Sequence, residues 1–114
     1  MNFKELSLKV VGWAEERGIF TKGDPLAQLK KTQEELDETV EAVEDLDDLM
    51  HQSQSSTSFD ELGGVIDGIG DMLVTVIIFS KMMNLDPEEC LQAAYNEIKD
   101  RTGKMVGGQF VKDK

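Results

Sequence analysis

An all-α domain follows from three observations. The chain has only two prolines in 114 residues, and each follows an aspartate, Asp24-Pro25 and Asp86-Pro87, which is an N-cap followed by proline at the first helical position. Long stretches carry apolar residues at i+3 and i+4 spacing. The polar loop between the two longest stretches makes them antiparallel neighbours. Together these predict a single domain, 1–114, folded as a four-helix, antiparallel, bundle-like subunit. The helices are expected at about 3–17, 25–50, 59–84 and 87–101, with a tail at 103–114 that is either a short extended segment or flexible.

The first helix places Phe3, Leu6, Val10, Trp13 and Ala14 on one apolar stripe and stops at Gly18. Trp13 reads first as a core residue on that stripe. A loop over 19–23 leads to the second helix, whose stripe is Leu26, Leu29, Leu36, Val40, Val43 and Met50. At about 100° per residue Glu35 and Glu38 project beside this stripe rather than opposite it. Lys31 is one turn from Glu35 and is expected to pair with it. Glu44, Asp45, Asp47 and Asp48 read as a solvated acidic face.

HQSQSST (51–57) is a surface loop, and Ser58-Phe59-Asp60-Glu61 has the pattern of a capping box opening the third helix. That helix, LGGVIDGIGDMLVTVIIF from 62 to 79, is apolar on nearly every side, which predicts burial. It also carries Asp67 and Asp71 one turn apart on one face. Buried carboxylates cost several kcal/mol unless a cation compensates them, so a metal ion or a basic partner is expected. Gly64 and Gly68 lie on the aspartate side, where they are either tolerated flaws or points of close approach by a helix or ligand. The fourth helix turns Leu91, Ala94, Tyr95 and Ile98 inward. It ends among Lys99, Arg101 and Lys104, which suit the helix dipole and also gather positive charge.

A formal charge of −11 excludes nucleic-acid and anionic-membrane binders, whose partners need basic surfaces. The single cysteine, Cys90, suits a reducing compartment. No signal-peptide core is present, and the run from Met72 to Phe79 is too short to span a bilayer, so a cytoplasmic protein is expected. His51 is the only histidine, which removes His-rich zinc sites and di-iron bundles.

Glu35 and Glu38 on one helix and Asp67 and Asp71 on the next offer only hard oxygen ligands, which suit Mg²⁺ or Mn²⁺. A Mg²⁺ held this way takes substrate phosphates as further ligands and acidifies a bound water. Basic groups past the fourth helix would neutralise those phosphates. The chemistry indicated is metal-assisted hydrolysis of a phosphoanhydride.

Four blocks in order carry a family resemblance: WAEERGIF (13–20), QLKKTQEEL (28–36), the Gly-Asp apolar helix with DGIGD (67–71), and YNEIKDRTGKM (95–105). They resemble the MazG-type all-α nucleoside triphosphate pyrophosphohydrolases, whose pattern is ExxE, a spacer, then ExxD. The resemblance implies Mg²⁺-dependent hydrolysis of (deoxy)nucleoside triphosphates to the monophosphate and pyrophosphate, as nucleotide-pool house-cleaning. It implies that Glu35 and Glu38 form the ExxE pair, that Asp71 ends ExxD, and that Glu34 is either a supporting group or the base for the water. Gly68 stands where the second glutamate belongs, and Asp67 is the nearest substitute. Lys31, Asn96, Lys99, Arg101 and Lys104 match positions resembling phosphate or sugar contacts, and Trp13, with Phe20, would stack on the base. A homodimer or homotetramer is implied, with sites near subunit interfaces. Two rival readings are a non-catalytic acidic helical adaptor and a related dUTP or phosphoribosyl-type pyrophosphohydrolase.

Overall fold

Asn2 opens the first helix by accepting a hydrogen bond from the Glu5 backbone N–H at 2.8 Å, and α1 runs over Phe3–Glu16. Gly18 then takes φ 73°, a left-handed conformation that ends the helix. The chain restarts at once as a one-turn helix, α2 (Ile19–Lys22), where a loop was expected. Asp24 caps α3 (Pro25–Ser53) by accepting from the Ala27 N–H at 2.9 Å, and that helix runs three residues past its expected end. α4 covers Gly63–Met82 and α5 covers Pro87–Ile98, the latter capped by Asp86, which accepts from the Glu88 N–H at 2.8 Å. This computed structural model describes residues 1–53 and 62–114, and the capping box expected at 58–61 lies outside them.

The chain is mostly helical, as expected, and its tail pairs with itself rather than forming a lone extended segment. β1 (Gly103–Val106) pairs antiparallel with β2 (Gln109–Lys112), Val106 facing Gln109 across a two-residue turn. Gly107 and Gly108 both have positive φ, 57° and 80°, as a type I′ hairpin requires. α5 also stops three residues short of its expected end, so Lys99 caps it and Arg101 and Lys104 lie beyond it.

α3 and α4 form the main antiparallel pair, with α1 packed on α4. The seam between α3 and α4 is not the leucine stripe. Its α3 positions are Gln28, Thr32, Glu35, Thr39, Ala42 and Leu46, a heptad-like 4-3 spacing that gives each turn one inward residue. Thr32 Oγ1 donates to Thr75 Oγ1 at 2.9 Å, Gln28 Nε2 donates to the Thr75 carbonyl at 3.1 Å, and Thr75 Oγ1 donates to the Met72 carbonyl at 2.7 Å. Thr75 is only 5 % exposed, so these bonds satisfy a buried hydroxyl and fix the helix register. Farther along, a Cβ at Gly64 would lie 3.2 Å from Ala42 Cβ, and Gly68 lies against Thr39. The two glycines are therefore points of close helix approach.

Several residues expected inside are outside. Leu26, Leu29, Leu36, Val40 and Val43 on α3, and Ile66, Ile69, Leu73 and Val76 on α4, are exposed. So are Phe3, Leu6 and Trp13 on α1 and Leu91, Ala94, Tyr95 and Ile98 on α5. Among the described residues the buried apolar core is Ala14, Ile77 and Ile78. The radius of gyration is 17.3 Å, whereas a compact domain of about this length has roughly 13 Å. One chain leaves most of its apolar surface uncovered.

Candidate functional site

Two turns of α3 carry the first half of the site. Glu35 is on the seam with α4 and is 8 % exposed, while Glu38 is nearly a turn later and open to solvent. Lys31 reaches forward along the helix, its Nζ 3.3 Å from Glu34 Oε2 and 3.5 Å from Glu35 Oε1. The i,i+4 pair expected between Lys31 and Glu35 is therefore present, and Glu34 shares the same ammonium. Both carboxylates hold the Lys31 pKa above its ordinary value.

Glu38 registers the rest of the cluster. Its carboxyl is held above the ordinary range, first by the charge of Glu35, then by partial loss of hydration and a hydrogen bond shared with Glu35. Lys31 pulls the other way, and the charge of Asp71 across the seam adds a further upward push. Glu38 thus feels the charge of Glu35 on its own helix and of Asp71 on α4.

One expectation about α4 is corrected here. Asp67 and Asp71 are exposed, not buried, so their charges are compensated by water and demand no ion by themselves. The reason is that α4 is covered mainly on the sides facing α3 and α1; it is not enclosed all round. The glycine at position 68 also has a packing cause. Gly68 is buried beneath Thr39, and a Cβ there would come within 3.0 Å of Thr39 Cβ and Cγ2, with Oγ1 closer still. A glutamate does not fit at 68 while the helices pack this closely.

Trp13 stands beside Asp71. The two share a groove of about 420 Å³ with Leu6, Lys9, Val10 and Val74, within the size range of small-molecule sites. Trp13 is 46 % exposed, the opposite of its first reading as a core residue and in keeping with a stacking platform. Arg17, which the sequence did not single out, lies over the indole with its guanidinium carbon 4.3 Å from the ring centroid, and its Nη1 donates to the Trp13 carbonyl at 3.0 Å. Its i,i+4 spacing from Trp13 was the available signal. Phe20 lines a different cleft, with Glu15, Pro25 and Met82.

The basic set is not brought to the carboxylates. Asn96 accepts a hydrogen bond from Gln92 Nε2 at 3.1 Å along the exposed face of α5. Lys99, Arg101 and Lys104 follow on the exposed tail, and among the described residues neither α5 nor the hairpin packs closely against α3.

For a divalent ion the donors fit in kind, being carboxylate oxygens with neither imidazole nor thiolate among them. In arrangement they fit less closely: among the described residues no group of three or more His, Cys, Asp or Glu side chains converges as a metal cage, and the cation beside Glu35 is the Lys31 ammonium. Comparison of the chain with protein-family models, with curated proteins and with solved structures finds no match in any of the three.

Proposed function

We propose that the chain is a cytoplasmic, MazG-type nucleoside triphosphate pyrophosphohydrolase, dependent on Mg²⁺ or Mn²⁺, that splits (deoxy)nucleoside triphosphates into monophosphate and pyrophosphate as part of nucleotide-pool house-cleaning. The observation that carries this reading is the groove that Asp71 shares with an exposed Trp13, with Asp71 near enough to Glu38 to push its carboxyl pKa up. Motif order supports it, but no sequence or structural relative does.

In this reading Glu35, Glu38 and Asp71 hold the ion, with Asp67 one turn away on the same helix. When bound, the ion supplies Lewis-acid polarisation of a phosphoryl oxygen and an acidified water. Lys31 leaves the carboxylates for the triphosphate, where its ammonium neutralises oxygen charge. Glu34, freed from Lys31, then takes a proton from the attacking water or orients it. Trp13 stacks on the base. Asn96, Lys99, Arg101 and Lys104 serve the phosphates and sugar.

The subunit works as a homodimer or homotetramer. By helical projection the exposed stripe of α3 (Leu29, Leu36, Val40, Val43) and that of α4 (Ile66, Ile69, Leu73, Val76) lie on the same side of the antiparallel pair, Glu38, Asp67 and Asp71 lie on the other, and Glu35 lies on the seam. An apolar face two helices wide suits isologous pairing with a second copy, which completes a four-helix core from two subunits. α4 is 20 residues long with mean hydropathy 1.6, enough by length and composition to cross a membrane, unlike the shorter run picked out in the sequence. Its two aspartates and its hydrogen-bonded seam with α3 favour the core of a soluble assembly.

An adaptor remains the second reading, because Asp67 and Asp71 are solvated and the apolar face would serve a partner equally well. Purified protein with Mg²⁺ and a panel of nucleotides, dUTP included, separates the readings. Pyrophosphate released from triphosphates, and none in EDTA, supports the hydrolase. Orthophosphate as the sole product contradicts attack at the α–β linkage, and no product at all leaves the adaptor.

A further inference from the structure

A second cavity, of about 200 Å³, lies where the start of α1, the end of α4 and the start of α5 come together. Its wall is apolar: Phe3 and Leu8 from α1, Ile77 from α4, and Leu85 and Pro87 from the turn into α5. Four charges line the same cavity, the ammoniums of Lys4 and Lys81 and the carboxylates of Asp86 and Glu88. Both signs face one space, yet among the described residues none of the four enters an ion pair. One oxygen of Asp86 caps α5 through the Glu88 N–H at 2.8 Å; the other three charged groups have no such structural bond. The cavity shares no residue with the groove of Trp13 and Asp71. Lys81 is ten residues from Asp71, about 15 Å along the axis of α4.

From these features we infer that the cavity is a binding site for a free α-amino acid with an apolar side chain. Size sets the first limit. A cavity of about 150 Å³ lined by Leu, Ile and Phe takes benzene, so this one has room for a single branched or aromatic side chain and little more. Charge selects the rest of the ligand. An apolar anion would meet Asp86 and Glu88, an apolar cation would meet Lys4 and Lys81, and a neutral molecule would use none of the four. A zwitterion answers both signs, its carboxylate going to the lysines and its ammonium to the acids. The ammoniums come from α1 and α4 and the carboxylates from the start of α5, so the bound molecule bridges these elements. α5 packs only sparsely on α4, and such a bridge would hold it to the other helices. The site requires nothing of the proposed hydrolysis.

Amide and methyl NMR of the full chain, titrated with L-phenylalanine, tests the site. The expected result is saturable shifts at Leu8, Ile77 and Leu85, with the Trp13 indole N–H unmoved. Three analogues on the same wild-type protein read the parts of the ligand: 3-phenylpropionate lacks the ammonium, phenethylamine lacks the carboxylate, and glycine lacks the side chain. Each should bind at least about tenfold more weakly, because each forfeits either a charge-assisted pair or the apolar burial. Glu88→Gln, with helicity recorded, should weaken phenylalanine and leave 3-phenylpropionate no weaker than before. No saturable shift, shifts centred on Trp13, or a singly charged analogue that binds as well as phenylalanine would overturn the inference. So would a Glu88→Gln variant that keeps its helicity and binds phenylalanine as wild type does.

Discussion

Gly68 lies buried under Thr39, so close that a single added methyl would come within 3.0 Å of two Thr39 carbons. Thr39 is fixed there because its Oγ1 donates to the Glu35 carbonyl at 2.7 Å. One contact therefore links helix spacing and the backbone that bears Glu35.

Gly68→Ala should destabilise the chain by about 1–3 kcal/mol, the usual cost of overpacking a tight site. The adjacent-turn control is Gly70→Ala, where nothing lies within 4 Å of the added carbon. There the helix propensity of alanine should raise stability by up to about 1 kcal/mol. Thermal denaturation of the two variants checks the pair. Equal melting temperatures would mean that α3 and α4 do not pack this closely in solution.

Glu38 sets a pH dependence. A folded pKa raised above 4.5 means that the native chain holds this proton more tightly than the unfolded chain. Its contribution to stability is complete below the unfolded value and is lost as pH rises through the folded one. Glu38→Gln keeps the neutral form throughout. The variant should therefore melt higher than wild type at neutral pH, with the difference vanishing at about pH 4. A difference that is constant with pH would exclude Coulomb repulsion from Glu35 as the cause.

Trp13 is the only tryptophan in the chain and shares its groove with Asp71, so its fluorescence reports on that groove alone. Adding a nucleoside triphosphate with Mg²⁺ should quench or shift the emission as the base stacks on the ring. Trp13→Ala should raise KM about tenfold with kcat little changed, since a lost stacking contact of about 1.4 kcal/mol is uniform binding. An unchanged KM would place the base elsewhere.

What depends on local spacing could be read from the sequence. The Asp-Pro caps at 24 and 86 gave two helix starts to the residue, and i,i+4 spacing gave the Lys31–Glu35 pair. Packing between elements was harder to read. Leu26 to Val43 looked like the inner stripe because they are the most apolar residues on α3, yet the closest approach to α4 needed small or hydrogen-bonding residues, and Thr32, Thr39 and Gln28 took those positions. The burial assigned to Asp67 and Asp71 failed for a related reason. Hydrophobicity on all sides of a helix shows how much surface can be covered, and one chain does not supply enough neighbours to cover it. The Gly107-Gly108 pair was the missed sign of the hairpin, flanked by strands of only four residues each.

The most direct measurement is calorimetric titration of Mn²⁺ into the full-length protein, wild type beside Glu35→Gln and Asp71→Asn, with helicity recorded for each. If these side chains together hold the ion, wild type binds Mn²⁺ at a saturable site and each substitution abolishes that binding while helicity stays. Wild type that takes up no Mn²⁺, or variants that bind it as well as wild type, would contradict the metal site and with it the proposed chemistry.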